Sequence, residues 1–230
     1  MAAEKPLFAW SHSALELYLS CPRKYYEAKV TKAWVEEFKG PAAEWGVAVH
    51  KAFERAVQFG SPMPPNMVQW SALAKKLANL TGVIKVEQQI ALDSDYQYVG
   101  WFDKTVRVRT IIDYGCYNLT TGNALLLDYK TGKRKNDDRQ LALMAASIFE
   151  LYPKINKVVS GYVWLKDGQD LSTVTFLREH KDKLWAMYLP TVADVEQSMT
   201  TGRWPEKPSG LCKGWCPVQD CKHWAPRRIK

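Results

Sequence analysis

Apolar residues recur along this chain with two different periods. Leu15, Tyr18 and Leu19 fall at helical spacing behind Ser13 and Glu16, whose separation is that of a capping box, so a helix is predicted to start near Ala14. Pro22 cannot sit inside that helix but suits the first turn of a second one, PRKYYEAKV. Over 42–59 the residues Trp45, Val49, Phe53 and Ala56 again keep helical spacing. SPMPPN then predicts a loop, and 67–80 a further helix. From there the period shortens. GVIKVEQQIAL, YQYVGWFDK, VRVRTIIDYGCY and NALLLDYK are short β-rich runs, the last two joined by turn residues NLTTGN at 118–123. A helix over 137–151, strands over 156–166 and 171–177 and a long helix over 181–201 complete the pattern. Helices, a meander of strands, a helix, strands and a helix predict an α/β or α+β core with an N-terminal helical elaboration.

Within this pattern the stretch LLLDYKTGKRK (125–135) passes abruptly from oily to basic. Leu125, Leu126 and Leu127 predict a buried strand, and strand alternation places Asp128 and Lys130 on one face of it. Asp113 ends the run RTIID, and pairing through the 118–123 turn would bring both carboxylates to one end of a sheet. Two carboxylates repel unless a cation joins them, and a hard divalent cation with oxygen ligands does so. Lys130 could then hold an attacking water and steady charge at a phosphoryl centre. The plainer alternative is a solvated ion pair at strand ends. A phosphate-binding loop is excluded: GxxxxGK[ST] needs glycine where Leu127 stands and Ser or Thr where Arg134 stands.

Composition narrows the class. The 230 residues suffice for one large domain, and 47% hydrophobic with 24% charged residues is ordinary for a folded protein. The net charge of +8 favours an acidic partner, nucleic acid or a membrane surface. No run approaches the ~18 apolar residues of a membrane span. The N-terminus, with Glu4 and Lys5, lacks the apolar stretch of a signal peptide. A cytoplasmic location is expected, where five cysteines are not expected to form structural disulfides. Cys212, Cys216 and Cys221 nevertheless crowd together near one end, with Cys21 near the other. Cys116, an odd number of residues from Asp113, is expected to face away from that carboxylate as a buried thiol.

IIDYG…LLLDYKTGK resembles the paired acidic and D-x-K elements of the PD-(D/E)XK nuclease superfamily, in particular its RecB-like branch. SHSALELYLSCPRKYYE (11–27) resembles that branch's N-terminal signature, GVAVH (46–50) its G-x-x-x-H helix, and VEQQIAL its strand bearing Glu87. RQLALMA (139–145) resembles its glutamine-bearing helix. The ordered matches run from 11 to 224. The resemblance implies a restriction-endonuclease-like α/β core, a mixed central sheet flanked by helices, within a single domain over 1–230. That domain would comprise a helical elaboration (11–80), a catalytic core (83–200) and a cysteine-rich segment (202–230) packing against the N-terminal helices. It implies that Asp113 and Asp128 bind catalytic Mg²⁺ or Mn²⁺, and that His50 and Glu87 join as metal ligands. Lys130 would position or help deprotonate the nucleophilic water, and Gln140 would orient Lys130 or the scissile strand. A His on an apolar-faced helix is more commonly a core residue, and Glu87 could equally be an exposed strand carboxylate. Where the branch commonly has tyrosine four residues after the glutamine, Met144 stands here.

The resemblance extends to a 4Fe–4S cluster held by Cys21, Cys212, Cys216 and Cys221, closing the chain's two ends like a staple. Zn²⁺ is the alternative, with His223 replacing Cys21 in a compact site. The spacing here, C-x₃-C-x₄-C, departs from the family's nearer x₂ and x₅. The implied activity is a metal-dependent DNA nuclease, an exonuclease rather than an endonuclease, acting on ends of double- or single-stranded DNA in recombination or repair. A non-catalytic DNA-binding or assembly subunit of the same fold is the alternative. Arg23, Lys24, Lys133, Arg134, Lys135, Arg139 and the tail KHWAPRRIK would neutralise phosphates, and Tyr25 or Tyr26 would stack on bases. Compact relatives occur as phage recombination exonucleases and CRISPR-adaptation nucleases, the former in the host cytoplasm. Unwinding would need a recombination or helicase partner, and a homo-oligomer would favour processivity; no membrane partner is expected.

Overall fold

The computed structural model describes residues 8–34, 40–134 and 137–226. Lys135, and Arg227, Arg228 and Lys230 of the basic tail, lie outside the described residues, as do Glu4 and Lys5. The chain divides into two compact units, Phe38–Met187 and a second made of Met1–Glu37 with Tyr188–Lys230.

The first unit is built on a mixed sheet of six strands among the described residues, in the order β2-β1-β3-β4-β5-β6. The strands are β1 (Val83–Leu92), β2 (Tyr98–Val99), β3 (Val108–Asn118), β4 (Asn123–Lys130), β5 (Lys157–Trp164) and β6 (Asp170–Leu177). All neighbours are antiparallel except β4 and β5. A parallel pair cannot be joined by a tight turn. The crossover here is a helix, Arg139–Leu151, whose residues Leu141 to Phe149 are all buried. The β3–β4 hairpin closes as the sequence predicts. The Asn118 side-chain oxygen accepts from the backbone N–H groups of Thr120 and Thr121, and Gly122 supplies the left-handed φ of 69°. The opposite face packs on the helices Pro41–Phe59 and Ser71–Ala78, with Val49, Phe53, Trp70 and Leu77 against Tyr114, Leu127, Tyr129 and Val163. A mixed sheet flanked by helices on both faces is an α/β fold.

Numbering the helices in chain order gives α1 (His12–Ser20), α2 (Pro22–Tyr25), α3 (Pro41–Phe59), α4 (Ser71–Ala78), α5 (Arg139–Leu151), α6 (Lys181–Ala186) and α7 (Leu189–Thr201). The predicted capping box sits two residues early: Ser11, not Ser13, caps α1 by accepting from the N–H of Ala14. The helix expected over 67–80 begins as a 3₁₀ turn at Pro65. The long helix expected over 181–201 is two helices. Pro190 has no N–H to give and its ring crowds the carbonyl four residues back, so α6 ends at Ala186 and α7 starts afresh at Leu189. YQYVGWFDK forms a strand only at Tyr98–Val99. Beyond it the Asp103 carboxylate accepts from the N–H and hydroxyl of Thr105, and this turn chemistry overrides the aromatic strand propensity.

In the second unit the N-terminal helices pair with the C-terminal segment. The Tyr18 hydroxyl lies 2.8 Å from Ser198 Oγ in α7, and Tyr25 stacks on Trp204. The Arg23 N–H donates to the Pro205 carbonyl.

Candidate active site

Strict alternation would put Thr110 and Tyr114 of β3 on one face, yet they lie on opposite ones. The Thr110 hydroxyl meets Ser147 of α5, whereas the Tyr114 hydroxyl donates to the Leu77 carbonyl of α4. The reversal coincides with Glu87 on the neighbouring strand. Glu87 has φ 47°, a left-handed backbone that costs a non-glycine residue about 1–2 kcal/mol, and its place in the ladder is left unpaired between Val86↔Tyr114 and Gln88↔Ile112. The result is a local gap in the sheet, into which acidic side chains turn.

Asp113 lies inside β3, not at its end. Its Oδ2 accepts from the Tyr129 N–H at 2.8 Å, a ladder bond made by a side chain. Asp113 Oδ2 and Glu87 Oε1 each stand 3.4 Å from His50 Nδ1, on α3. His50, Glu87 and Asp113 each present one ligand atom within 4.8 Å of the others. His50 Nε2 lies 3.1 Å from the Tyr129 carbonyl oxygen, which can only accept, so Nε2 carries a proton and Nδ1 faces the carboxylates. Burial pulls the imidazole pKa down, but the hydrogen bonds and charges of Asp113 and Glu87 outweigh it and lift the pKa to about 10. Gly46, Val47, Lys51 and Glu54 of α3 continue from His50 and Glu87 as the wall of a cleft of about 450 Å³.

Asp128 is adjacent, though outside that three-residue group. Its Oδ1 accepts from Gln140 Nε2 at 2.5 Å, and Lys130 Nζ stands 2.7 Å from its Oδ2 and donates to Gln140 Oε1 at 2.9 Å. Burial, and then the nearby charge of Asp113, raise the Asp128 pKa to about 7. Its Oδ2 is buried without a well-directed hydrogen bond, despite the nearby ammonium. His50, Glu87, Asp113, Asp128, Lys130 and Gln140, the six residues expected from the sequence, thus lie in one neighbourhood. Tyr162 was not expected there. The Tyr162 ring lies under Lys130 Nζ, 5.1 Å from ring centre to nitrogen, and its hydroxyl donates to the Asp137 carbonyl just before α5. The parallel register of β4 and β5 sets Tyr162 beside Asp128, a pairing that strand periodicity alone does not fix. Met144, at the position of the branch's tyrosine, is buried in the core. Cys116 is a buried thiol, as expected, its Sγ 3.7 Å from the Thr81 carbonyl oxygen. It does not face away from Asp113, however: it packs with Tyr114 among residues of α3 and α4, the side from which His50 meets Asp113, because alternation is broken between Thr110 and Tyr114.

The second unit holds the cysteines. Cys21, Cys212, Cys216 and Cys221 line one small cavity with His223. The Lys207 N–H points at Cys21 Sγ at 3.5 Å and the Ser209 N–H at Cys212 Sγ at 3.4 Å. Burial raises the Cys216 thiol pKa, and the neighbouring Cys212 and Cys21 add to it, while the Val218 N–H and Lys24 oppose. Such a pocket favours thiolates only when a soft cation is present.

The cations expected on phosphates are largely engaged within the protein. Arg23 pairs with Glu27 and Asp220, Arg134 with Asp170, and Arg139 with Asp137. Lys24 lies over the Trp34 ring, while Lys133 is exposed. Tyr25 is not a base-stacking residue as the sequence suggests: at 2% exposure, wedged between Tyr18 and Trp204, its ring cannot reach a base. Tyr26 tilts against the same Trp204.

Comparison with known proteins bears on the whole chain. A candidate exonuclease from Eubacterium rectale is similar over 87% of this chain and 90% of its own, at 12% identity and a TM-score of 0.48. The protein SSO0001 is similar over 84% and 78% respectively, at 11% identity and a TM-score of 0.35. No curated protein matches. The family model for the PD-(D/E)XK nuclease superfamily matches residues 9–221, so this chain belongs to that superfamily.

Proposed function

We propose that the protein is a Mg²⁺- or Mn²⁺-dependent deoxyribonuclease of the RecB-like branch, an exonuclease acting on DNA ends. One observation carries the reading: His50, Glu87 and Asp113 converge their ligand atoms within 4.8 Å, next to the linked set Asp128, Lys130 and Gln140. The donor set fits a divalent cation. It offers hard oxygens and one imidazole nitrogen, and the imidazole's other nitrogen is fixed by a backbone carbonyl, as in metal-ligating histidines. The buried Asp128 Oδ2, ion-paired with Lys130 but without a well-directed hydrogen bond, is a further hard oxygen beside this group. When bound, the ion supplies charge neutralisation at the scissile phosphate and a more acidic water. The chain's own groups do the rest. Gln140 fixes both Asp128 and Lys130, leaving the third N–H of the Lys130 ammonium for a water or a phosphate oxygen.

In the second unit the four cysteines are proposed to hold a 4Fe–4S cluster, with Zn²⁺ as the alternative and His223 available in place of Cys21. Their shared cavity and the N–H groups aimed at sulfur support ligation by thiolates. Iron, sulfide and zinc analysis of anaerobically purified protein separates the two.

Cleavage of end-labelled linear DNA, single- and double-stranded, with EDTA, Mg²⁺ or Mn²⁺, tests the activity. Asp128→Ala and Lys130→Ala are each expected to lower the rate at least ~100-fold while leaving folding and DNA binding intact. Cleavage retained by both variants removes the site assignment. DNA binding with no cleavage by the parent protein favours the non-catalytic subunit.

A further inference from the structure

The break in alternation that builds the site leaves part of the sheet uncovered beyond it. Gln88 reaches Tyr152 at the end of α5, and Thr110 reaches Ser147 within it. Their neighbours Glu87, Gln89, Arg109 and Ile111 therefore face the other side, the side of α3 and His50. Gln89 and Ile111 are cross-strand partners, and both are exposed. Arg109 lies four residues along β3 from Asp113, about 13 Å at strand rise. Its guanidinium stands 5.4 Å from the centre of the Trp101 ring, and its Nε donates to the Trp101 carbonyl at 3.1 Å. Trp101 is thereby fixed at the end of this floor.

The next residue, Phe102, is 89% exposed. The turn that carries it is rigid. The Asp103 N–H donates to the Gly100 carbonyl at 2.9 Å, the Asp103 carboxylate takes two bonds from Thr105, and the Val106 N–H returns to the Asp103 carbonyl. A bare aromatic on a preorganised turn gains nothing for folding, and it loses little entropy on binding.

We propose that this floor, from Glu87 to Arg109, is the track of a single DNA strand beyond the scissile phosphate, with Phe102 stacking on an unpaired base. The inference rests on the nuclease reading and adds its substrate form and a specificity-determining residue. The chemistry of the floor favours unpaired bases over a duplex. A single strand carries the same phosphates as a duplex, but only unpaired bases offer a free face to Phe102, while Arg109 and Lys104 supply positive charge at the far end of the floor. Stacking platforms flanked by a few cations are how single strands are held without sequence preference. At ~3.4 Å per stacked nucleotide the floor from Asp113 to Arg109 spans about four nucleotides, and the base contacted by Phe102 lies beyond that span from the cut.

The test uses oligonucleotides carrying 2-aminopurine at successive positions near the end, bound in Ca²⁺, with Phe102→Ala and Phe102→Trp beside the parent and thermal unfolding as the folding control. The expected result is fluorescence quenching at one position, lost in Phe102→Ala and kept in Phe102→Trp. Single-strand affinity should fall roughly tenfold in Phe102→Ala, with metal-dependent cleavage at saturating DNA preserved. Phe102→Ala matching the parent in quenching and affinity overturns the track and leaves the nuclease reading standing, as does a loss confined to duplex DNA. A parent that neither binds nor cleaves DNA defeats the nuclease reading itself.

Discussion

The acidic cleft of the sheet unit and the cysteine cavity of the other unit both gather metal-ligating groups, but they are built in opposite ways. In the cleft, Glu87, Asp113 and Asp128 come from three adjacent strands, and a helix on one face adds His50. The backbone itself is bent to serve the site, with Glu87 left-handed inside a strand. In the cavity, Cys21 and the three later cysteines come from the chain's two ends, and loops and short turns carry most of them. Hard, partly charged donors can wait for a cation by borrowing His50 and Lys130 as substitutes. Half-buried thiols have no such substitute, and N–H groups to sulfur from Lys207 and Ser209 line their cavity. The cleft is therefore expected to keep its form without metal, whereas the cavity depends on what it binds.

Breaking the cavity should give the larger effect on stability. Cys216→Ala is expected to lose iron or zinc content and to lower the thermal midpoint by about 5 °C or more, because binding free energy at such sites is folding free energy. Mn²⁺ affinity at the acidic cleft, measured on the same variant, is expected to stay near the parent's. A variant as stable as the parent would refute the staple.

A second measurement sharpens the contrast through pH. In the metal-free protein His50 keeps its proton up to about 10 and Asp128 up to about 7, both above their ordinary values. Between the ordinary and the raised values the folded protein binds more protons than the unfolded chain, so stability falls with rising pH, from about 4 to 7 through Asp128 and from about 6.5 to 10 through His50. A metal ion displaces those protons and removes the penalty. Mn²⁺ should therefore bind more tightly, and raise the thermal midpoint more, at pH 9 than at pH 6. Calorimetry in two buffers of different ionisation enthalpy should show net proton release on Mn²⁺ binding. Affinity independent of pH, with no proton released, would remove His50 from the ligand set.

The same contrast governs how much of each region is legible in the amino-acid sequence. Asp113, Asp128 and Lys130 are legible because a hairpin with a strong turn determines which residues meet and strand periodicity puts Asp128 and Lys130 on one face, whereas the turn of Asp113 toward His50 depends on the broken alternation beside Glu87. The cysteines are legible as a group because sulfur clustered near a chain end has few structural uses in a reducing compartment. The DNA-contact residues are not. Arg134 and Arg139 look free in the sequence because their partners, Asp170 and Asp137, are identifiable only from side-chain geometry, and Tyr25 looks available because its cover, Trp204, lies far along the chain. The long final helix is misread for a local reason, the proline at 190, whose effect a periodic pattern hides. Least legible is Glu87. Nothing in VEQQIAL announces a left-handed residue, since the neighbouring strand and His50 hold it there against its own preference.

That residue offers the finest test of the comparison. If the left-handed backbone at 87 is maintained for the sake of the carboxylate, replacing Glu87 by glycine should relieve strain while removing a ligand. Glu87→Gly is expected to leave the metal-free protein about 1 kcal/mol more stable than Glu87→Gln, measured by urea unfolding, because both lose the ion pair with His50 but only glycine releases the backbone. The same change should weaken Mn²⁺ binding roughly tenfold or more and slow cleavage at limiting Mn²⁺. Glu87→Gln keeps the side-chain bulk and the backbone preference, so it should lose metal affinity without gaining the strain relief. The pair separates two causes that a single substitution would merge. Equal stability in the two variants would mean that the charge, not the backbone, is what the site forces on the fold, and the acidic cleft would then be no more strained than the cysteine cavity.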